Sequence, residues 1–105
     1  MMQDVKNVTV SMLAAAVAAL TTTAVAAAYD GQELASQAKI SIAHARAIAL
    51  HAVPGKIVKE ELEKEKGGSG LRYSFDVKTT TNVREVGIDA KNGKVLENAV
   101  DIGGD

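Results

Sequence analysis

The clearest pattern of apolar and polar positions lies in residues 71–78, LRYSFDVK. The odd-numbered positions are apolar and the even-numbered ones are polar, which is the two-residue period of a strand buried on one face. The apolar residues are Leu71, Tyr73, Phe75 and Val77, and the polar ones are Arg72, Ser74, Asp76 and Lys78. The segment therefore predicts a half-buried β-strand.

Two further strands are predicted near the C-terminus. Residues 83–90, VREVGIDA, alternate, and their apolar face is formed by Val86, Ile88 and Ala90. Residues 94–100, KVLENAV, form the next strand. Asn92 and Gly93 lie between the two strands and tolerate the positive φ angles that a tight hairpin turn needs. A phosphate-binding loop would need more glycines and a following helix, so the pair predicts a β-hairpin.

One amphipathic helix is predicted before these strands. Its apolar stripe has the 3.6-residue spacing of a helix and consists of Ile42, Ala45, Ile48, Ala49 and Ala52. Ser41 is a suitable N-cap. Pro54 disfavours helical geometry at Val53, and Gly55 ends the element. Because the stripe is rich in alanine, the helix can approach a sheet closely.

The next segment, KIVKEELEKEK at residues 56–66, fits two structures. Its Glu and Lys content, including the Glu60–Lys64 pair at i,i+4 spacing, favours a helix. A strand fits equally well, with Val58 and Leu62 on one face. Ile57 would then point the other way unless a bulge shifts the register. The local sequence does not decide between the two, and GGSG at residues 67–70 is predicted to be a flexible loop.

The first 28 residues have the pattern of a secretory signal peptide. They contain only two charged side chains, Asp4 and Lys6, and then a long stretch of Ala, Val and Thr. Ala26-Ala27-Ala28 predicts cleavage after Ala28, and Ala24-Val25-Ala26 is a second candidate. The alternative is an uncleaved membrane anchor, since the stretch is about long enough to span a bilayer. Its alanine-rich composition makes it a poor anchor.

Composition and charge limit what the remaining chain can do. Residues 29–105 number 77, near the size at which a single core stabilises only weakly, and the chain has no Cys, no Trp and one Phe. They contain 11 Lys and Arg against 12 Asp and Glu. This balance argues against nucleic-acid binding, which needs a basic face, and against binding to a membrane through a polybasic surface. After cleavage of the signal peptide we expect no stable membrane insertion. We expect a periplasmic or secreted protein with a flexible lead-in at 29–38 and a loose tail at 102–105.

Four segments in this order resemble the PepSY domain family, over about residues 39–101. The first is the alanine-rich helix that runs into Pro54-Gly55, and the second is the acid-rich segment 59–65. The third is the aromatic strand 73–77. The fourth is the hairpin 88–96, with the pattern Ile-Asp-Ala-x-x-Gly-x-Val-Leu. The order and spacing of the segments, more than any single motif, produce the resemblance.

The resemblance implies an α+β fold in which one helix packs on an antiparallel sheet of three or four strands. It favours the strand interpretation of residues 56–65. Family members occur in propeptides of secreted metallopeptidases, in membrane proteins and as small exported proteins, and the role assigned to the family is peptidase regulation or inhibition. The resemblance implies a non-catalytic module that regulates an envelope or secreted peptidase. The alternative is a sensory or accessory module that binds a membrane protein or a small ligand.

The sequence offers little catalytic or metal-binding chemistry. His44 and His51 are about 10 Å apart along the helix and cannot chelate one zinc ion alone. The glutamates of residues 60–65 lack the ligand spacing of a calcium loop. No Ser–His–Asp set is recognisable, so we expect no enzyme activity, no cofactor and no metal. Contact with a protein partner is expected through a sheet edge or through the outer sheet face. The candidate residues there are Arg72, Ser74, Asp76 and Lys78, with Arg84 and Glu85 nearby.

Overall fold

The fold is one helix on a four-stranded sheet. The computed structural model describes residues 28–103. After a short 3-10 helix at Gln32–Gln37, its elements are α1 (Ile42–Ala52), β1 (Lys56–Lys64), β2 (Leu71–Lys78), β3 (Val83–Asp89) and β4 (Val95–Val100). The strands form an antiparallel sheet in the order β1-β2-β3-β4. The predicted α+β class is confirmed. The predicted signal peptide lies outside the described residues.

Helix α1 begins and ends where its sequence predicts. The Ser41 hydroxyl accepts a hydrogen bond from the backbone N–H of His44 at 3.1 Å and so caps the first turn. The helix stops at Val53, whose extended backbone precedes Pro54. Ala45 and Ala49 are completely buried, and their small side chains let α1 lie close to β2 and β3. No helix in residues 28–103 is both long and apolar enough to cross a membrane.

The ambiguous segment 56–66 forms strand β1, with a bulge. Its pairing with β2 shifts register between Ile57 and Lys59. Because of this shift, Ile57 and Leu62 both face α1, opposite Val77 and Tyr73 of β2. Val58, which was expected to share the face of Leu62, is the extra residue and is 52% exposed. The Glu-rich composition is compatible with the strand because β1 lies at the edge of the sheet, where charged side chains reach solvent.

The core lies between α1 and one face of the sheet. Phe75 is the largest purely hydrocarbon side chain in the core and is 0% exposed. Its ring stacks on that of Tyr73, with 6.4 Å between the ring centroids. The Tyr73 hydroxyl donates a hydrogen bond of 2.9 Å to the carbonyl of Ile40 just before α1. The rest of the buried apolar set is aliphatic: Ala45, Ala49, Val53, Leu62, Leu71, Val77, Val86, Ile88 and Ala90. The core is therefore aliphatic around two aromatic rings, those of Tyr73 and Phe75.

The turn between β3 and β4 is a hairpin turn, as predicted, but its geometry differs from the prediction. Only Gly93 has a left-handed backbone, at φ 79°. Asn92 keeps a negative φ, and its side-chain oxygen accepts a hydrogen bond from the N–H of Lys94 at 2.9 Å. The N–H of Asp89 bonds to the Lys94 carbonyl and that of Gly93 to the Asp89 carbonyl, each at 2.8 Å. The loop is therefore longer than a two-residue turn and needs one glycine.

The lead-in at residues 29–38 contacts the domain instead of extending away from it. The carbonyl of Asp30 accepts a hydrogen bond of 2.8 Å from the N–H of Leu62, so the chain lies along the outer edge of β1. A Cβ at Gly31 would overlap the Leu62 carbonyl, so this close approach requires glycine. Tyr29 and Leu34 pack against the core. The sequence suggested a flexible lead-in because most of its residues are polar, and these contacts were therefore not expected.

Candidate functional site

The sheet face opposite α1 is polar, and no helix of residues 28–103 packs on it. Side chains at its centre are shielded by their neighbours, since Arg72 is 8% and Ser74 4% exposed. Directly paired residues of neighbouring strands share a face. One row of the face runs Glu61, Ser74, Gly87 and Glu97, and the next runs Lys59, Asp76, Glu85 and Ala99. We name this surface the carboxylate face and define it by Glu61, Glu63, Asp76, Glu85 and Glu97.

The structure places five of the six predicted contact residues on this face. Arg72, Ser74 and Asp76 lie along its middle on β2, and Glu85 is paired with Asp76. Lys78 lies at the end of the strand and is exposed. Arg84 pairs with Val77, so its side chain is on the α1 side of the sheet. Arg84 and Glu85 are adjacent in β3 and therefore point to opposite faces.

The carboxylates that β1 and β4 contribute to the carboxylate face were not predicted from the sequence. Glu61 and Glu63 lie beside Ser74 and Arg72 only because residues 56–64 form a strand. Glu97 reaches the same face from β4, opposite Gly87. Glu61 and Glu63 are two residues apart, and in a strand this spacing puts both side chains on one face. The sequence could have predicted this pair only if residues 56–64 had first been assigned to a strand.

Arg72 is a fixed cation within the carboxylate face. Its side chain crosses Gly87, where an added Cβ would lie 2.9 Å from the Arg72 Cδ atom. The guanidinium contacts the carboxylate of Glu97 at 3.2 Å and the carbonyl of Lys66 at 3.3 Å. Arg72 is 8% exposed, so these contacts are partly shielded from water. Glycine at position 87 thus lets one arginine link β2 to β4 across the sheet.

The carboxylates of this face are partly desolvated and repel one another. Burial raises the pKa of Glu61, and the nearby carboxylate of Glu63 raises it further. Burial also raises the pKa of Asp76 and of Glu85, with a further contribution from Asp101 to Asp76 and from Glu97 to Glu85. The physical cause is the same in each case, since low solvation and like charges both disfavour the ionised form. The five carboxylates outnumber the cations beside them, Lys59 and Arg72, so the face carries a net negative charge.

We predict that the domain is more stable at pH 5 than at pH 7. A carboxyl group with a raised pKa in the folded state binds its proton more tightly there than in the unfolded chain. Its contribution to stability is complete at low pH and is lost as the pH rises past the ordinary glutamate value of 4.5 and through the folded pKa. Urea unfolding followed by circular dichroism should give a higher midpoint at about pH 5 than at about pH 7. The double variant Asp76→Asn/Glu85→Gln should flatten this dependence, whereas a midpoint that rises towards pH 7 in the wild type would contradict it.

Asp89 has a structural role that the sequence analysis did not identify. Its side chain is 0% exposed, and its carboxylate accepts hydrogen bonds from the Ser69 N–H at 2.8 Å, the Ser69 hydroxyl at 2.6 Å and the Lys91 N–H at 2.9 Å. Burial by itself would raise the pKa of Asp89, but these hydrogen bonds outweigh it and lower the pKa below 3.8. One carboxylate thus holds the Gly67–Gly70 loop against the β3–β4 turn. In the sequence, the only indication of this role is that Asp89 lies between two apolar residues, Ile88 and Ala90, both of which are buried.

Within the described residues, neither Ser69 nor Ser74 has a histidine base placed to take its proton. The Ser69 hydroxyl donates to Asp89, and the Ser74 hydroxyl donates to Glu63 at 2.8 Å. A nucleophilic serine needs an adjacent base to take its proton, and His44 and His51 are exposed on α1, across the sheet. Within residues 28–103, no three His, Asp or Glu side chains converge as metal ligands.

The fold and the open polar face define a small α+β binding module. The chain belongs to the PepSY family: the family model described as "Peptidase propeptide and YPEB domain" matches residues 39–98. The match includes all of α1, β1, β2 and β3 and most of β4. PepSY domains occur in exported proteins and are protein-interacting modules that are typically non-catalytic. Comparison with curated proteins and with solved structures found no match.

Proposed function

We propose that this chain is an exported, non-catalytic module that binds a peptidase and restrains its activity. The observation behind the proposal is the family match, which covers the helix and nearly the whole sheet and connects the domain with peptidase propeptides. A propeptide restrains its enzyme by contact, so we propose that this domain acts by binding the peptidase.

The carboxylate face is the surface that we propose contacts the peptidase. The pKa values of Glu61, Asp76 and Glu85 are raised by burial and by neighbouring carboxylates, so these residues repel one another in the free protein. A lysine or arginine of a partner would relieve that repulsion. Electrostatic complementarity of this kind speeds encounter and sets the orientation of the partner.

We further propose that the protein is periplasmic or secreted and that its mature chain begins at Tyr29. The Tyr29 side chain packs against the core, whereas Ala28 is exposed. Cleavage after Ala28 would therefore leave the folded domain intact. The predicted lead-in at 29–38 would remain attached to the edge of β1 through Asp30.

An activity assay tests the proposal directly. The full sequence is expressed in the source organism, the protein is purified from the exported fraction, and its mass is measured; we expect an N-terminus at Tyr29. The protein is then titrated against the secreted and envelope peptidases of the same cells with casein as substrate. We expect casein cleavage to fall as the protein is added.

Two variants show whether the carboxylate face is responsible. Asp76→Asn/Glu85→Gln removes two charges without changing side-chain size, and we expect it to restrain the peptidases less. His51→Gln changes an exposed residue on the opposite side of the domain and should act like the wild type. Casein cleavage that stays constant at saturating wild-type protein would contradict the proposal and favour an accessory module that touches no peptidase.

A further inference from the structure

The two edges of the sheet are not equally available. The β1 edge is occupied near its middle by the chain itself, because the Leu62 N–H donates to the Asp30 carbonyl at 2.8 Å and Gly31 lies directly against the Leu62 backbone. On the other edge, β4 pairs with β3 only, and no other segment of residues 28–103 adds to it. An extended chain can therefore join the sheet most easily at β4.

The backbone of β4 presents a regular set of free groups on this edge. The N–H of Asp101 bonds to the Val83 carbonyl at 2.8 Å, towards β3. In an antiparallel pair, successive residues direct their N–H and C=O groups alternately towards and away from the neighbouring strand. The backbone N–H and C=O groups of Ala99 therefore point towards β3, and those of Asn98 and Val100 point outwards from the sheet.

One side chain partly covers this edge without closing it. Arg84 donates to the side-chain oxygen of Asn98 at 2.9 and 2.8 Å, and also to the backbone carbonyl of Asn98 at 3.3 Å. The contact with the carbonyl is the longest of the three. An incoming strand would compete for that contact alone, because the other two do not involve the backbone of β4.

The side chains that flank the edge indicate what such a strand would look like. On the α1 side are Val95 and Val100, each 45% exposed, which lie beyond the reach of the helix. On the opposite side are Glu97 and Asp101, next to Glu85 in the carboxylate face. A strand added here would place alternate residues beside the two valines and the intervening residues beside the acids.

We propose that the edge of β4 binds an extended segment of the partner protein in which apolar residues alternate with lysine or arginine. Main-chain hydrogen bonds to Asn98 and Val100 hold the segment, its apolar residues cover Val95 and Val100, and its basic residues approach Glu97 and Asp101. This inference rests on the proposed function in taking the partner to be a protein, and it adds where and in what form that protein binds.

The test uses a fluorescent peptide of about ten residues in which valine and lysine alternate, a length that spans the edge. Binding to the protein purified after expression of the full sequence is followed by fluorescence anisotropy. The comparison peptides are one in which valine and glutamate alternate and one with the lysines and valines in separate blocks. We expect the alternating valine–lysine peptide to bind and both comparison peptides to bind about tenfold or more weakly.

A proline substitution separates edge binding from attraction to the acidic surface. Asn98→Pro removes an outward N–H and leaves the β3–β4 hydrogen bonds in place, since proline is tolerated on an edge strand in this orientation. The matched control Asn98→Ala loses the same side chain but keeps the N–H. We expect Asn98→Pro to weaken binding about tenfold relative to Asn98→Ala. Equal affinity of the two variants would overturn the proposal and assign the peptide to the carboxylate face.

A second measurement does not depend on the folding of the proline variant. In the wild type, amide hydrogen exchange at Asn98 and Val100 should slow when the valine–lysine peptide is added, and unchanged exchange at both would overturn the proposal. Dimerisation of the protein through β4 in place of peptide binding would also overturn it, by assigning the edge to a second copy.

The edge proposal and the peptidase proposal can fail separately. If Asn98→Pro restrains casein cleavage as well as Asn98→Ala, the peptidase proposal stands and the edge proposal is wrong. If the wild type restrains no peptidase but binds the peptide through Asn98 and Val100, the peptidase proposal is wrong and the edge remains a strand-binding site.

Discussion

Replacing Asp89 with alanine is expected to lower the free energy of unfolding by about 3 kcal/mol, because it leaves several buried donors without an acceptor. The Asp89 carboxylate binds the N–H and hydroxyl of Ser69 and the N–H of Lys91. Without it, the Gly67–Gly70 loop and the β3–β4 turn lose their connection. Chemical unfolding of the variant and the wild type in parallel measures the difference.

Two controls test the physical reason for this expectation. Ser69→Ala removes one partner only, and combining it with Asp89→Ala in a double-mutant cycle should show a large coupling between the two sites. Asp89→Asn keeps the shape of the side chain but exchanges one acceptor oxygen for a donor. Since the pKa of Asp89 is lowered by folding, the advantage of the wild type over Asp89→Asn should shrink as the pH falls below 3.8. A constant difference down to pH 2 would show that the charge of Asp89 is not what stabilises the loop.

Replacing Phe75 with alanine is expected to lower the free energy of unfolding by about 4 kcal/mol. Phe75 is completely buried between α1 and the sheet and is the only phenylalanine in a chain that has no tryptophan. The neighbouring core residues, Tyr73 and several aliphatic side chains, are fixed to a small sheet, so they cannot fill the space left by the ring. Thermal unfolding should show a broad transition at a much lower temperature, and loss of the native near-ultraviolet signal from Tyr73 would accompany it.

The adjacent tyrosine provides a matched comparison for Phe75. Tyr73→Phe keeps the ring and removes only the hydroxyl that donates to the Ile40 carbonyl. We expect it to lower the free energy of unfolding by about 1 kcal/mol, the usual net value of one hydrogen bond. Similar losses of stability in Phe75→Ala and Tyr73→Phe would contradict a core that depends mainly on the packing of the Phe75 ring.

The parts of the fold that follow from local pattern were predictable. Strand β2 alternates so regularly that its buried face could be assigned residue by residue, and Ser41 and Pro54 mark the ends of α1. Strand β1 could not be assigned from residues 56–66 alone, because glutamate and lysine favour a helix. Its pairing with β2 overrides that preference, because the bulge lets Leu62 be buried and Ile57 pack against the core.

The candidate site was predictable only along one strand. Arg72, Ser74 and Asp76 were found because β2 alternates, but the neighbours that make the surface acidic come from β1 and β4 and depend on register. Arg84 lies on the apolar side of β3 with Val86 and Ile88, as the alternation of that strand requires. Asp89 was missed because its role depends on a contact with Ser69, 20 residues away in the chain.

The attachment of Asp30 to β1 has a consequence for polymerisation. A sheet with two free edges can accept a strand at one side and offer a new edge at the other, so that many copies join into a filament. In this domain one of the two edges is already occupied near its middle by residues 29–31 of the same chain. Further copies are therefore hindered from adding at β1, and two copies that join through their β4 edges form a closed pair instead of a growing fibre.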